Sequence, residues 1–87
     1  MKIFLAPSYL SSLKKLTKNN PQLLPTIKKK IEYFKTDPQT PGLKLHKLKG
    51  SMQTTWSFSV TDDIRILYIY EEDGIMFVKI GKHEDVY

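Results

Sequence analysis

The chain has 87 residues, 40% of them hydrophobic, and no cysteine, so it makes one small domain over residues 1–87 without disulfide staples or thiolate metal sites. Its longest apolar run, Ile66-Leu67-Tyr68-Ile69-Tyr70, is far short of the ~18 residues of a membrane span, and the apolar stretch after Met1 is too short for a secretion signal; a soluble, cytoplasmic protein is expected. Net charge is +5, but residues 1–50 carry eleven lysines and two acids while residues 51–87 carry three basic residues and seven acids, so the first half suits a polyanion, either nucleic acid or an acidic protein segment, unless it is only a solvated lysine face.

In chain order, Lys2-Ile3-Phe4-Leu5-Ala6 reads as a short strand stopped by Pro7. Ser8 is placed to cap a helix with Leu10, Leu13 and Leu16 along one stripe. Asn19-Asn20-Pro21 ends that helix and restarts a second, in which Leu24, Ile27, Ile31 and Phe34 form the apolar stripe and Lys28, Lys29, Lys30 and Lys35 lie mostly off it. The short connection predicts an antiparallel helical hairpin. Asp37-Pro38 and Pro41-Gly42 break the chain.

After Gly42 the period changes to two. Leu43 to Leu48 reads as an imperfect strand running into a turn at Lys49-Gly50. Trp56, Phe58 and Val60 alternate with Ser57, Ser59 and Thr61, predicting a half-buried strand. Asp62-Asp63 leads tightly into Ile64–Tyr70, Glu71 to Gly74 makes a hairpin turn, and Ile75–Ile80 forms the last strand before Gly81 releases a polar tail. Strand, two helices and then antiparallel strands predict an α+β fold, with the helical hairpin on a curved, mainly antiparallel sheet of four or five strands.

Phosphate-loop, dinucleotide and zinc-protease motifs are absent from the sequence, and no serine sits in a nucleophile elbow. Two histidines with scattered acids make a poor metal site. The remaining palette of His46, His83, Arg65, lysines and a few acids suits metal-free cleavage of RNA. That reaction takes a proton from a 2′-hydroxyl, gives one to the leaving oxygen, and needs cations on the phosphate. Arg65 interrupts an otherwise apolar strand; it is a phosphate ligand, an exposed edge charge, or half of a salt bridge to Asp62 or Asp63. Pairing Tyr70 with Ile75 predicts Lys79 opposite Ile66 and brings Arg65 near Gly81. His83 in a polar tail is otherwise a solvated histidine.

Leu45-His46-Lys47-Leu48-Lys49-Gly50, Trp56 to Val60, Asp63 to Tyr68 and Lys79 to Tyr87 together resemble the RelE/ParE superfamily of type II toxin–antitoxin toxins, most of all the YafQ/YoeB-type mRNA interferases. The resemblance implies ribosome-dependent mRNA cleavage in the A site by 2′-hydroxyl attack, with no metal and no small-molecule cofactor. It implies His83 as the principal proton-transfer residue and His46 as a second acid/base. Lys79 and Arg65 fall at phosphate-binding positions, Asp63 at that of an acid and Tyr87 at that of a nucleotide-orienting aromatic. Ser59 and Ile64 depart from the YafQ type, which has histidine and tryptophan there. Lys14, Lys15, Lys28, Lys29, Lys30, Lys44, Lys47, Lys49 and Lys82 are then candidates for contact with RNA. The implied partners are ribosome, mRNA and a cognate antitoxin that wraps an acidic, apolar segment over the basic, concave side; no membrane is involved. Two other readings stay open: a ParE-like gyrase inhibitor without nuclease activity, and an inactive RNA-binding or interaction module.

Overall fold

A computed structural model describes residues 2–48, 54–82 and 86. The chain runs β1 (Ile3–Leu5), α1 (Pro7–Thr17), α2 (Leu23–Thr36), β2 (His46–Lys47), β3 (Trp56–Ser59), β4 (Ile64–Glu71) and β5 (Gly74–Lys82). The sheet has five strands in the order β1-β5-β4-β3-β2. Only the β1–β5 pairing is parallel; the other three are antiparallel. The α+β expectation of two helices on a mainly antiparallel sheet therefore holds, with five strands. Among the described residues no helix is long and apolar enough to cross a membrane.

Both helices pack on one face. Tyr9 of α1 and Ile27 and Phe34 of α2 join Phe58, Ile66, Tyr68, Phe77 and Ile80 from the sheet in the main core. Its centre is aromatic: Phe34 stacks on Phe58 at 4.5 Å and meets Tyr68 edge-on at 4.9 Å. Such pairs add roughly 0.5–1.5 kcal/mol beyond the area they bury.

Local details depart from the sequence reading. Ala6 precedes α1, and Ser8 caps nothing; its Oγ donates to the Val78 carbonyl at 2.6 Å. The reason lies in the sheet. β1 pairs only with Ile75–Phe77, so the rest of β5 would have an open edge with unpaired backbone groups. The Ser8 hydroxyl satisfies Val78, and Ser12 Oγ accepts from the Ile80 N–H at 3.0 Å. α1 thus closes the edge of the sheet. The expected strand from Leu43 shrinks to His46–Lys47, because Lys44 adopts a left-handed conformation (φ 50) that breaks the extended run. The turn at Lys49-Gly50 lies outside the described residues.

β3 is not half-buried. Ser57 and Ser59, expected to face solvent, are buried along with Phe58. A second, smaller apolar cluster covers the face opposite the helices: Leu48, Leu67 and Val86, with Val78 against them. Val86 comes from the segment read as a polar tail, yet its side chain is buried in this cluster.

Candidate active site

The outer face of the sheet, opposite the helices, is built from alternate strand residues. The register sets His46 beside Ser57, Ser57 beside Leu67 and Ser59 beside Arg65, and Arg65 beside Gly81 and Leu67 beside Lys79. Their alternates Phe58, Ile66 and Ile80 face the helices.

Arg65 is the best-fixed charged group on this face. Its Nε donates to Ser57 Oγ at 3.0 Å and its Nη2 to the Lys44 carbonyl at 2.7 Å. The salt bridge to Asp62 or Asp63 does not form: among the described residues the one ion pair is Lys35–Glu32. Arg65 is half-buried, and among the described residues its hydrogen bonds go to neutral acceptors only.

Lys79 reaches the outer face through an irregularity. Tyr70 pairs with Ile75 as expected, but the register shifts between Leu67 and Tyr68, so Lys79 sits opposite Leu67 rather than Ile66. Uninterrupted counting from Ile75 and Phe77 would have turned Lys79 toward the helices. The extra residue is Val78, which packs in the outer cluster. Bulges of this kind re-aim side chains and bend the strand.

Lys79 also connects the face to α1. A cleft of about 370 Å³ is lined by Ser12, Lys15, Leu16 and Asn20 of the α1 side with Lys79, Ile80 and Gly81 of β5. Lys15 therefore borders the site rather than standing apart from it. The other candidates disperse. Lys14 is exposed on α1, Lys44 in the loop, Lys47 on β2 and Lys82 at the end of β5. Lys28, Lys29 and Lys30 lie on α2, on the far side of the sheet. Lys29 and Lys30 stand 5.8 and 6.0 Å from the Tyr33 ring. Lys28 and Lys35 rim an apolar groove of about 300 Å³ between Ile3 and Leu5 of β1 and Leu13, Leu24 and Ile31 of the helices. Asp63 is exposed in the turn before β4, its N–H bonded to Thr61 Oγ1 at 3.2 Å. His46 is exposed on β2. Lys49, His83 and Tyr87 lie outside the described residues.

Ser57, the Lys44 carbonyl, Ser12 and Asn20 were not singled out from the sequence. Ser57 left a trace there as a hydroxyl alternating with Trp56 and Phe58, and Asn20 only as part of a helix break.

A sequence model of the YoeB-like toxins of bacterial type II toxin–antitoxin systems matches residues 6–84. The chain belongs to that family. Among curated proteins none matches the sequence. Solved structures share its fold. A YafQ mutant from E. coli superposes with a TM-score of 0.85 at 19% identity, covering 99% of this chain and 97% of that one. The E. coli DinJ–YafQ toxin–antitoxin complex gives 0.81 at 19% identity over 99% and 96%. The YoeB–YefM complex from Staphylococcus aureus gives 0.72 at 19% over 95% and 97%. The chain is thus a toxin of the type II class by family, and two of these relatives were solved in complexes.

Proposed function

We propose that this toxin is a ribosome-dependent mRNA endoribonuclease working in the cytoplasm without a metal. The observation that carries the reading is Arg65: a guanidinium held on the outer face by two neutral acceptors, with His46 two strands away on β2, across β3, and Lys79 turned to the same face by the bulge. In the reaction a 2′-oxygen attacks the adjacent phosphorus and the bond to the 5′-oxygen breaks, leaving a 2′,3′-cyclic phosphate and a 5′-hydroxyl. One proton leaves the 2′-hydroxyl and one joins the 5′-oxygen; His83 and His46 carry these transfers. Arg65 and Lys79 bind the charge that grows on the equatorial oxygens. Asp63 and Tyr87 are assigned supporting roles, the acid at the mouth of the site and the aromatic against the scissile nucleotide. Lys15 and the remaining lysines hold the RNA backbone.

The partner in the resting state is a cognate antitoxin. The groove rimmed by Lys28 and Lys35 suits a segment carrying apolar and acidic side chains.

Primer extension on mRNA incubated with purified toxin and ribosomes tests the reading. Discrete ribosome-dependent cuts are expected, lost in His83→Ala. Intact mRNA, together with growth arrest in which DNA replication stops before translation, would overturn it in favour of gyrase inhibition.

A further inference from the structure

We propose that Ser57, together with the carbonyl of Lys44, is a positioning residue that fixes the Arg65 guanidinium for a phosphate; this rests on the cleavage reading above. The two bonds occupy the Nε–H and one Nη2–H, which lie on the same edge of the guanidinium. Of its five N–H donors, the Nη1 pair and the second Nη2–H remain. Among the described residues nothing else takes the terminal edge, which is placed for the bidentate geometry that suits phosphate oxygens. An arginine without such anchors loses rotamer freedom when it binds; here the fold has already ordered it.

The backbone around Lys44 is shaped for this task. Lys44 holds φ 50, a left-handed conformation uncommon for a residue with a side chain. The preceding carbonyl, of Leu43, accepts from the Ser59 N–H at 2.6 Å, tying the loop to β3. The left-handed residue then turns the Lys44 carbonyl toward Arg65 on the next strand. Ser57 is completely buried beneath, so the hydroxyl that meets Nε has little freedom to move away. Clamp and loop form one unit: β3 holds the loop, the loop holds one donor of Arg65, and β3 holds the other.

The test compares Ser57→Ala with Ser57→Thr, and Lys44→Val with Lys44→Gly. Both Lys44 variants lose the ammonium, but only valine, branched at Cβ, resists a positive φ. Three readouts are taken: hydrogen exchange of the Arg65 Nε–H by NMR, the single-turnover cleavage rate on saturating ribosome–mRNA complexes, and the thermal midpoint. Ser57→Ala should lose the protected Nε–H and cut about 10–100-fold more slowly, the cost of a small misplacement of a reacting group, while the half-saturating ribosome concentration stays the same. Ser57→Thr should restore both, and Lys44→Val should cut more slowly than Lys44→Gly. A wild-type rate in Ser57→Ala, or a fall in rate fully matched by loss of folded protein, overturns the clamp. If the wild-type chain cuts no mRNA, the cleavage reading falls by itself. The clamp is then decided by titrating inorganic phosphate and following the Arg65 N–H signals. Weaker phosphate binding in Ser57→Ala supports it, and equal binding in the two proteins overturns it.

Discussion

Replacing Arg65 by lysine or alanine separates its chemistry from its contribution to the fold. Arg65→Ala leaves the Lys44 carbonyl and Ser57 Oγ without the donor each has now. At roughly 0.5–1.5 kcal/mol for each hydrogen bond lost, the cost is about 1–3 kcal/mol. With about 4–8 °C per kcal/mol in a domain of this size, the thermal midpoint should fall by about 4–24 °C. Arg65→Lys should melt closer to wild type, because the ammonium still satisfies one or both acceptors. Its cleavage should nevertheless fall nearly as far as that of Arg65→Ala, by about 10²–10³-fold, the usual loss when a preorganised donor to a developing anion is removed. A lysine head bound to Ser57 or Lys44 has no second planar edge to present to phosphate. Single-turnover cleavage of programmed ribosomes, measured beside a thermal melt, reads both quantities. Arg65→Lys cutting at the wild-type rate would refute the bidentate reasoning. Arg65→Ala melting early while cutting normally would reduce Arg65 to a tie between loop and sheet.

Lys15→Gln should raise the ribosome concentration needed for cleavage and lower the slope of log affinity against log salt by about 0.7–0.9, since Lys15 borders the cleft with Lys79; an unchanged slope would make Lys15 a solvated lysine. A Cβ at Gly74 would run into the Lys2 carbonyl, the acceptor for the Ile75 N–H, so Gly74→Ala should cost about 1–3 kcal/mol by overpacking, and an unaltered thermal midpoint would contradict the contact. Burial pushes the Tyr9 hydroxyl up to about 12, and burial, followed by the charge and hydroxyl of Tyr70, raises Tyr68 as well. Stability linked to Tyr9 is then complete below pH ~10, where unfolded tyrosine ionises, and is lost as pH climbs toward 12; urea unfolding between pH 8 and 11 should decline less in Tyr9→Phe, and an equal decline would refute the linkage. Among the described residues the buried Tyr68 hydroxyl has no hydrogen-bond partner, so Tyr68→Phe should be neutral or stabilising by about 1 kcal/mol in the same titrations at pH 7; a clear loss would place an acceptor there.

The element order was legible because each segment states its period or its break. Helix spacing in Leu24, Ile27, Ile31 and Phe34, the Pro41-Gly42 break and the alternation from Trp56 need no tertiary context. What escaped depends on residues far apart in the chain. Nothing in Ile75-Met76-Phe77-Val78-Lys79-Ile80 marks Val78 as the extra residue; no glycine or proline stands there. Its side chain has a place only because Leu48, Leu67 and Val86 gather on the outer face, and its carbonyl only because Ser8 reaches it from 70 residues away. Ser57, buried where alternation alone would expose it, stands beside Leu67 of the same cluster.

Arg65 shows where sequence reasoning stopped most instructively. A charge inside an apolar strand was conspicuous, and the acids nearest in sequence, Asp62 and Asp63, were its natural partners. Its partners are instead 8 and 21 residues away, and neither is charged. The difference matters for function. A carboxylate against the guanidinium would cancel much of its field at the short distances where phosphate binds, and would take the bidentate edge that phosphate needs. A hydroxyl and a carbonyl orient the group, and among the described residues no carboxylate neutralises its charge. The same geometry that removes the salt-bridge alternative therefore favours an anion as the ligand of this face, and the terminal edge of Arg65 is where that anion should be sought.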